Sequence, residues 1–284
     1  MKIVIIQERG AHDKNREFRE CENIKRSLLR VFDDVDVVIW GKGYSNFTES
    51  IFDISSDADA VLIIENYDTG WLPDLSGIDA LKLFWSIDSH CVLNAHINTC
   101  HRMGVDVVLN SIKSHMEHFS RIGCETYYFP NAYPSDLIQP LDVDKSGVGF
   151  VGNVVNRGGL LNDIGIEPQV MVIGQDMVES VNKLKIHFNC NIANDINYRT
   201  FETLGCDTFL LTNYTESLED LFRIGVDLVT YDSVEDCKNK IEYYLNNDEE
   251  RLAISHNGYN TVTSRHTFDN RVKLLYDIIQ ENKK

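Results

Sequence analysis

The chain has 284 residues and a formal net charge of −17, from 27 Lys and Arg against 44 Asp and Glu, with 43% hydrophobic and 25% charged residues. That length accommodates two ordinary domains, each with its own core, and the composition is that of a soluble globular protein rather than a nonspecific polyanion binder. No apolar run reaches the length of a membrane span, and seven scattered cysteines without a Cys-x-x-Cys pair indicate neither a disulfide framework nor a zinc knuckle.

The N-terminus, Met1-Lys2-Ile3-Val4-Ile5-Ile6-Gln7-Glu8, turns acidic too soon for a secretory signal, so a cytoplasmic location is expected. Apolar runs at 3–6, 35–40, 60–65, 81–87, 106–110 and 125–129 read as strands, with helical stretches at 17–31, 92–103 and 114–122 between them. Such alternation predicts a doubly wound parallel sheet. Pro130, Pro134 and Pro140 then fall in a polar connector, after which strands are expected at 148–151, 170–173, 187–189, 209–211 and 228–231. Helices over 234–246, 249–264 and 267–280 close the chain. The expected division is 1–133 for a first domain, 134–265 for a second and 266–284 for a terminal helix.

The most informative stretch is Asn197-Tyr198-Arg199-Thr200-Phe201-Glu202-Thr203-Leu204-Gly205-Cys206-Asp207-Thr208-Phe209-Leu210-Leu211. Asp195 and Asn197 are both good N-caps for a short helix over 198–204, which leads into a buried parallel strand. Glu202 on that helix offers a carboxylate that accepts two hydrogen bonds from a ribose diol. Arg199, three residues earlier on the same face, is placed for a diphosphate. An exposed i,i+3 Arg–Glu pair on an ordinary amphipathic helix is the alternative.

This block resembles the R-x-F-E-x-x-x-C-G-x-F-L-L signature of the spore-maturation-type glycosyltransferases of the group 1 class. The resemblance continues through Leu218-Glu219-Asp220-Leu221-Phe222, Ile241-Glu242-Tyr243-Tyr244-Leu245 and His266-Thr267-Phe268-Asp269-Asn270-Arg271. Upstream, Val148-Gly149-Phe150-Val151-Gly152-Asn153 with Arg157 resembles the opening of that family's donor domain, and Phe84-Trp85-Ser86-Ile87-Asp88-Ser89-His90 echoes its first domain. Asp207 stands where the family usually has glycine, and Asn194-Asp195 where related retaining enzymes carry a first glutamate. The resemblance implies a GT-B fold: two Rossmann-like α/β domains facing across a cleft, with the last helix crossing back to the first domain. The implied activity is transfer of a sugar from a nucleotide-diphosphate donor, a UDP-sugar, to a hydroxyl acceptor.

Ligands of open α/β sheets bind at the carboxyl ends of the strands, and further candidates fall there. Gly149, Gly152 and Asn153 are expected to let backbone N–H groups approach a phosphate, with Arg157 adding charge. Gly174 and Gln175 are expected at the base pocket, and Tyr198 joins Arg199 and Glu202 in donor binding. Asp88 and His90, with His12 behind them, are the candidates to take the acceptor's proton. Asp88 or Ser89 capping the next helix is the equal alternative.

Three Asp-x-Asp triplets (Asp34/Asp36, Asp57/Asp59, Asp142/Asp144) lie before strands or in the connector, whereas a metal-dependent site needs the motif after a strand. No catalytic metal and no cofactor besides the donor are therefore expected. The acceptor is a small molecule, glycan or protein. Alternatively it is a hydroxylated base in DNA, with Arg9, Arg16 and Arg19 in the locally positive segment 9–30 touching phosphates. A solvated helix with internal ion pairs is the better account of most of those charges. A sugar-nucleotide epimerase or a non-catalytic nucleotide-sugar binder are the readings of a different class.

Overall fold

A computed structural model describes residues 1–66 and 68–283. The chain forms two compact units, one of Met1–Pro130 with Phe268–Lys284 and the other of Asn131–Thr267.

In the first unit β1 (Lys2–Ile6) leads through a 3-10 turn (Asp13–Phe18) to α1 (Glu20–Val31), β2 (Asp36–Trp40), α2 (Ile51–Ile54) and β3 (Ala60–Ile64). Then follow β4 (Leu81–Ser86), α3 (Ser89–Met103), β5 (Val107–Asn110), α4 (Met116–Ser120) and β6 (Glu125–Tyr128). Six parallel strands are ordered β2-β1-β3-β4-β5-β6. Ile3, Val4, Ile5 and Ile6 have no exposed surface, which fits a central parallel strand covered on both faces. The helix expected from residue 17 starts at Glu20, because Arg19 is extended (φ −64°, ψ 147°) and ends the 3-10 turn before it.

The second unit runs β7 (Ser146–Val151), α5 (Gly158–Ile164), β8 (Pro168–Gln169), α6 (Gln175–Asn182), β9 (Leu184–Phe188) and α7 (Tyr198–Gly205). It continues with β10 (Phe209–Asn213), α8 (Glu216–Glu219), β11 (Val229–Tyr231), α9 (Val234–Asn246) and α10 (Asp248–Arg265). Its five strands are parallel in the order β11-β10-β9-β7-β8, around Phe150, Ile186, Phe188, Phe209 and Leu211. The strand expected over 170–173 is not there: β8 ends at Gln169, and Met171 takes a left-handed φ of 57° that breaks the extended run.

After α10 the chain returns to the first unit as α11 (Phe268–Asn282), which packs on α1. Arg30 forms an ion pair with Asp269, and Phe32 stacks on Tyr276 with ring centroids 4.3 Å apart. Among the described residues no helix is long and apolar enough to cross a membrane. Strand order reverses between β1 and β3 in one sheet and between β7 and β9 in the other, and the crevice outside such a reversal is where open α/β sheets take ligands.

Candidate functional site

In the second unit α7 begins where Asn197 accepts a hydrogen bond from the backbone N–H of Thr200 at 3.2 Å. Thr200, Phe201, Thr203 and Leu204 are buried, which turns Tyr198, Arg199 and Glu202 to the half-buried face. Arg199 Nη1 donates to Glu202 Oε2 at 2.6 Å, and the two side chains are only 20% and 14% exposed. The i,i+3 pair exists, but it is sheltered rather than on an open helix surface. Among the described residues the other N–H groups of Arg199 and Oε1 of Glu202 have no hydrogen-bond partner.

A network of buried and half-buried amides fixes this helix against the strand ends. Asn197 donates its backbone N–H to Asn191 Oδ1 at 3.1 Å, and Asn191 and Asn213 exchange two bonds at 2.6 and 3.1 Å. Arg157 reaches across the β7/β9 reversal, its Nε donating to the Cys190 carbonyl at 2.8 Å and Nη1 to the Asn153 carbonyl at 3.3 Å. It is a bracket between the β7–α5 turn and the end of β9.

Two expectations for the glycines are corrected. Gly149 lies inside β7 beside His187, and the space a Cβ would need is taken by Leu184 Cδ2 at 2.8 Å, so the residue serves packing. The Gly152 amide donates to the Gln169 carbonyl at 3.1 Å and is committed to the sheet. Asn153 is exposed, its Oδ1 held by the Val155 amide at 2.9 Å. Gly174 caps α6 at φ 61° and ψ −138°, a conformation that requires glycine, and Gln175 follows it exposed to solvent. Asp207 has a φ of 48°, which is the reason glycine suits this position. Here the Asp207 carboxylate accepts from Ser255 Oγ at 2.9 Å.

His187 on β9, fully buried, was not singled out by sequence, although a histidine between Ile186 and Phe188 in an apolar strand is the signal. Burial, with the Arg199 charge second, holds its imidazole well below the usual value of 6.5. The unfolded chain therefore takes up a proton below about pH 6.5 that the folded protein refuses, and stability falls as pH drops through that region. Urea unfolding at pH 7 and pH 5.5 is expected to show this loss, at up to about 1.4 kcal/mol per pH unit from this group, and His187→Gln should flatten it.

In the first unit Asp88 occupies the N-cap position of α3, yet its side chain makes no capping hydrogen bond. Its backbone N–H and that of Ile87 both donate to Glu65 Oε2, at 2.6 and 2.8 Å, so a buried carboxylate at the end of β3 sets the turn that presents Asp88. Ser89 is buried, its Oγ 2.9 Å from His115 Nδ1. His90 is half-buried, and its Nδ1 is shielded from solvent without a hydrogen-bond partner among the described residues. His12 is exposed ahead of the 3-10 turn. Glu65 was missed because one acidic residue at a strand end carries no local pattern.

Several arginines of the basic segment are held from within their own unit. Arg16 pairs with Asp13, Arg19 donates to the Glu8 carbonyl at 3.3 Å and lies 3.8 Å from Glu20, and Arg26 donates to the Glu17 carbonyl at 2.8 Å. Arg9 is half-buried, with its backbone N–H on the Lys42 carbonyl at 3.0 Å. The Asp-x-Asp triplets lie at or just before the starts of β2, β3 and β7, at the edges opposite the carboxyl ends; Asp57 pairs with Lys2, and Asp59 accepts the Lys2 amide at 2.8 Å.

Residues 137–277 match the model of a family described as glycosyl transferase-like. No curated protein matches the chain by sequence. Among solved structures, Anabaena Alr3699/HepE in complex with UDP and glucose is similar with a TM-score of 0.69 and 11% identity, over 99% of this chain and 100% of that one. A sucrose-phosphate synthase from Thermosynechococcus elongatus has a TM-score of 0.72 and 10% identity, over 99% and 98%. A DNA-modifying β-glucosyltransferase, crystallised with and without uridine diphosphoglucose, has a TM-score of 0.70 and 13% identity, over 99% and 100%. At such identities the likeness is one of fold, and with the two parallel-sheet units it makes the fold GT-B.

Proposed function

We propose that this chain, whose residues 137–277 match a family described as glycosyl transferase-like, transfers a sugar from a UDP-sugar to a hydroxyl group. The observation that carries the reading is the sheltered Arg199–Glu202 pair on α7, beside a strand-order reversal that Arg157 brackets. Glu202 accepts the ribose hydroxyls, while Tyr198, Gly174 and Gln175 border the nucleoside. Arg199 and Arg157 offset the diphosphate charge as it leaves. The acceptor oxygen bonds to the anomeric carbon, the bond to the diphosphate oxygen breaks, and the hydroxyl proton passes to Asp88 or His90. His12 is the reserve base. Similar folds solved with UDP, glucose or uridine diphosphoglucose support a uridine donor.

A thermal-shift series with UDP, UDP-glucose and the other nucleoside diphosphates tests this, because a ligand bound only by the folded state raises the melting temperature. A melting temperature unmoved by every uridine nucleotide would overturn the donor. With arginines and helix termini meeting the diphosphate, turnover should persist in excess chelator; loss by chelation with rescue by manganese sinks the metal-free mechanism.

We take the acceptor to be a small molecule, glycan or protein, since Arg16, Arg19 and Arg26 of the basic segment are held by carboxylates and carbonyls of their own unit. The DNA-modifying neighbour favours a second reading, transfer to a hydroxylated base. That reading requires Arg16 and Arg19 to release their partners and join Arg9 on phosphates, and apparent affinity would then fall with about the 0.9 power of salt per phosphate. Labelled sugar is expected to stay out of hydroxymethylated DNA at low salt; incorporation that weakens in Arg16→Ala and Arg19→Ala would establish the second reading.

A further inference from the structure

One line of hydrogen bonds runs across the second unit's sheet to α7. Val151, the last residue of β7, donates its backbone N–H to His187 Nε2 at 3.2 Å, and His187 Nδ1 lies 2.8 Å from Thr203 Oγ1. Thr203 gives its single hydroxyl proton to the Arg199 carbonyl at 2.6 Å. The proton count leaves one arrangement: Nδ1 carries the hydrogen and donates to Thr203, while Nε2 accepts from Val151. His187 and Thr203 have no exposed surface, so no water competes for these bonds.

Both ends of the line are at the candidate donor site. Val151 immediately precedes the Gly152-Asn153 turn that Arg157 closes, and Thr203 adjoins Glu202 one helical turn beyond Arg199. A hydrophobic residue at 187 would fill the same volume under α7, so packing alone does not call for an imidazole. A neutral group that both accepts and donates is needed to span from the strand amide to the helix hydroxyl.

We infer that His187 is a positioning residue for the donor, coupling the β7 turn to the helix that carries Arg199 and Glu202, an assignment that rests on the donor reading above. The ring touches no ligand itself; it sets the distance between the two groups that do. A shift of α7 against β7 loosens the grip on diphosphate and ribose together.

Two variants separate this role from simple packing. His187→Gln keeps a neutral group with one acceptor and donors, and His187→Phe keeps volume and removes both. At a temperature where circular dichroism shows each protein folded, calorimetric titration with UDP is expected to give a Kd about tenfold higher for His187→Phe, the loss of about two ordinary hydrogen bonds, with His187→Gln restored to within about threefold of wild type. Nitrogen-15 NMR of the wild-type protein is expected to show a protonated Nδ1 and a bare Nε2.

Should His187→Phe not fold, Thr203→Val removes the acceptor of the Nδ1–H in an otherwise matched shape and is expected to raise the UDP Kd likewise. Wild-type affinity in the folded His187→Phe or Thr203→Val protein, failure of glutamine to restore binding lost in His187→Phe, or a hydrogen found on Nε2, overturns the positioning role alone. A wild-type chain that binds neither UDP nor UDP-glucose overturns the donor reading and this role with it.

Discussion

Replacing Glu202 by glutamine is expected to weaken UDP and UDP-glucose binding by about 1.5–3 kcal/mol, the worth of hydrogen bonds to a charged acceptor, while leaving the fold intact. The substitution keeps the side chain's length and one carbonyl oxygen but removes the charge, and α7 is held by the Asn197 cap and the Asn191 contacts, which do not involve residue 202. In the protein alone Glu202 Oε2 holds Arg199 at 2.6 Å. Glutamine releases that guanidinium, so part of the effect acts through the diphosphate. Titrations with uridine, UDP and UDP-glucose separate the two contributions: loss of the ribose contact lowers all three affinities, and displacement of Arg199 lowers only the last two. Unaltered affinity for all three ligands removes Glu202 from the donor site.

The second large effect concerns stability, and here local and tertiary arguments point in opposite directions. Gly258 lies in the interior of α10, where glycine is normally about 1 kcal/mol worse than alanine, so local propensity alone makes Gly258→Ala a stabilising change. In the folded chain a Cβ at this position would sit 2.3 Å from the Asp227 carbonyl oxygen and 2.7 Å from Leu204 Cδ2. The leucine methyl can swing aside, but the backbone oxygen cannot move without shifting the loop before β11. Overpacking against backbone outweighs helix propensity, and Gly258→Ala is expected to destabilise by about 2–3 kcal/mol, read as a lower urea midpoint with an unchanged slope. Because Leu204 belongs to α7, a compensating tilt of α10 should also appear as weaker UDP binding. A midpoint at or above wild type contradicts the close approach.

The alternation of strand and helix was legible from the sequence because each element is set by interactions a few residues apart. Runs such as Ile3 to Ile6 are apolar on both faces, and Asn197 both caps α7 and places Arg199 and Glu202 three residues apart on one side. The acidic composition is likewise a property of the chain itself.

What the tertiary structure decided are the relations between residues remote in sequence. Gly149 and Gly152 carry a loop-like spacing, but Leu184 and the Gln169 carbonyl, brought in by β9 and β8, turn them to packing and sheet pairing. For Arg157 the sequence shows only a charge placed for a phosphate, and the β7/β9 adjacency then sets the Cys190 carbonyl 2.8 Å from its Nε. Glu65 and His187 have no motif, and they gain their roles only where parallel strands align the β4–α3 turn with the end of β3, and Val151 with Thr203. Propensity and periodicity decay within a few residues along the chain. The volume and hydrogen-bond partners at a sheet's carboxyl edge come from four or five separate segments, so the chemistry of such an edge is settled only when the chain has folded.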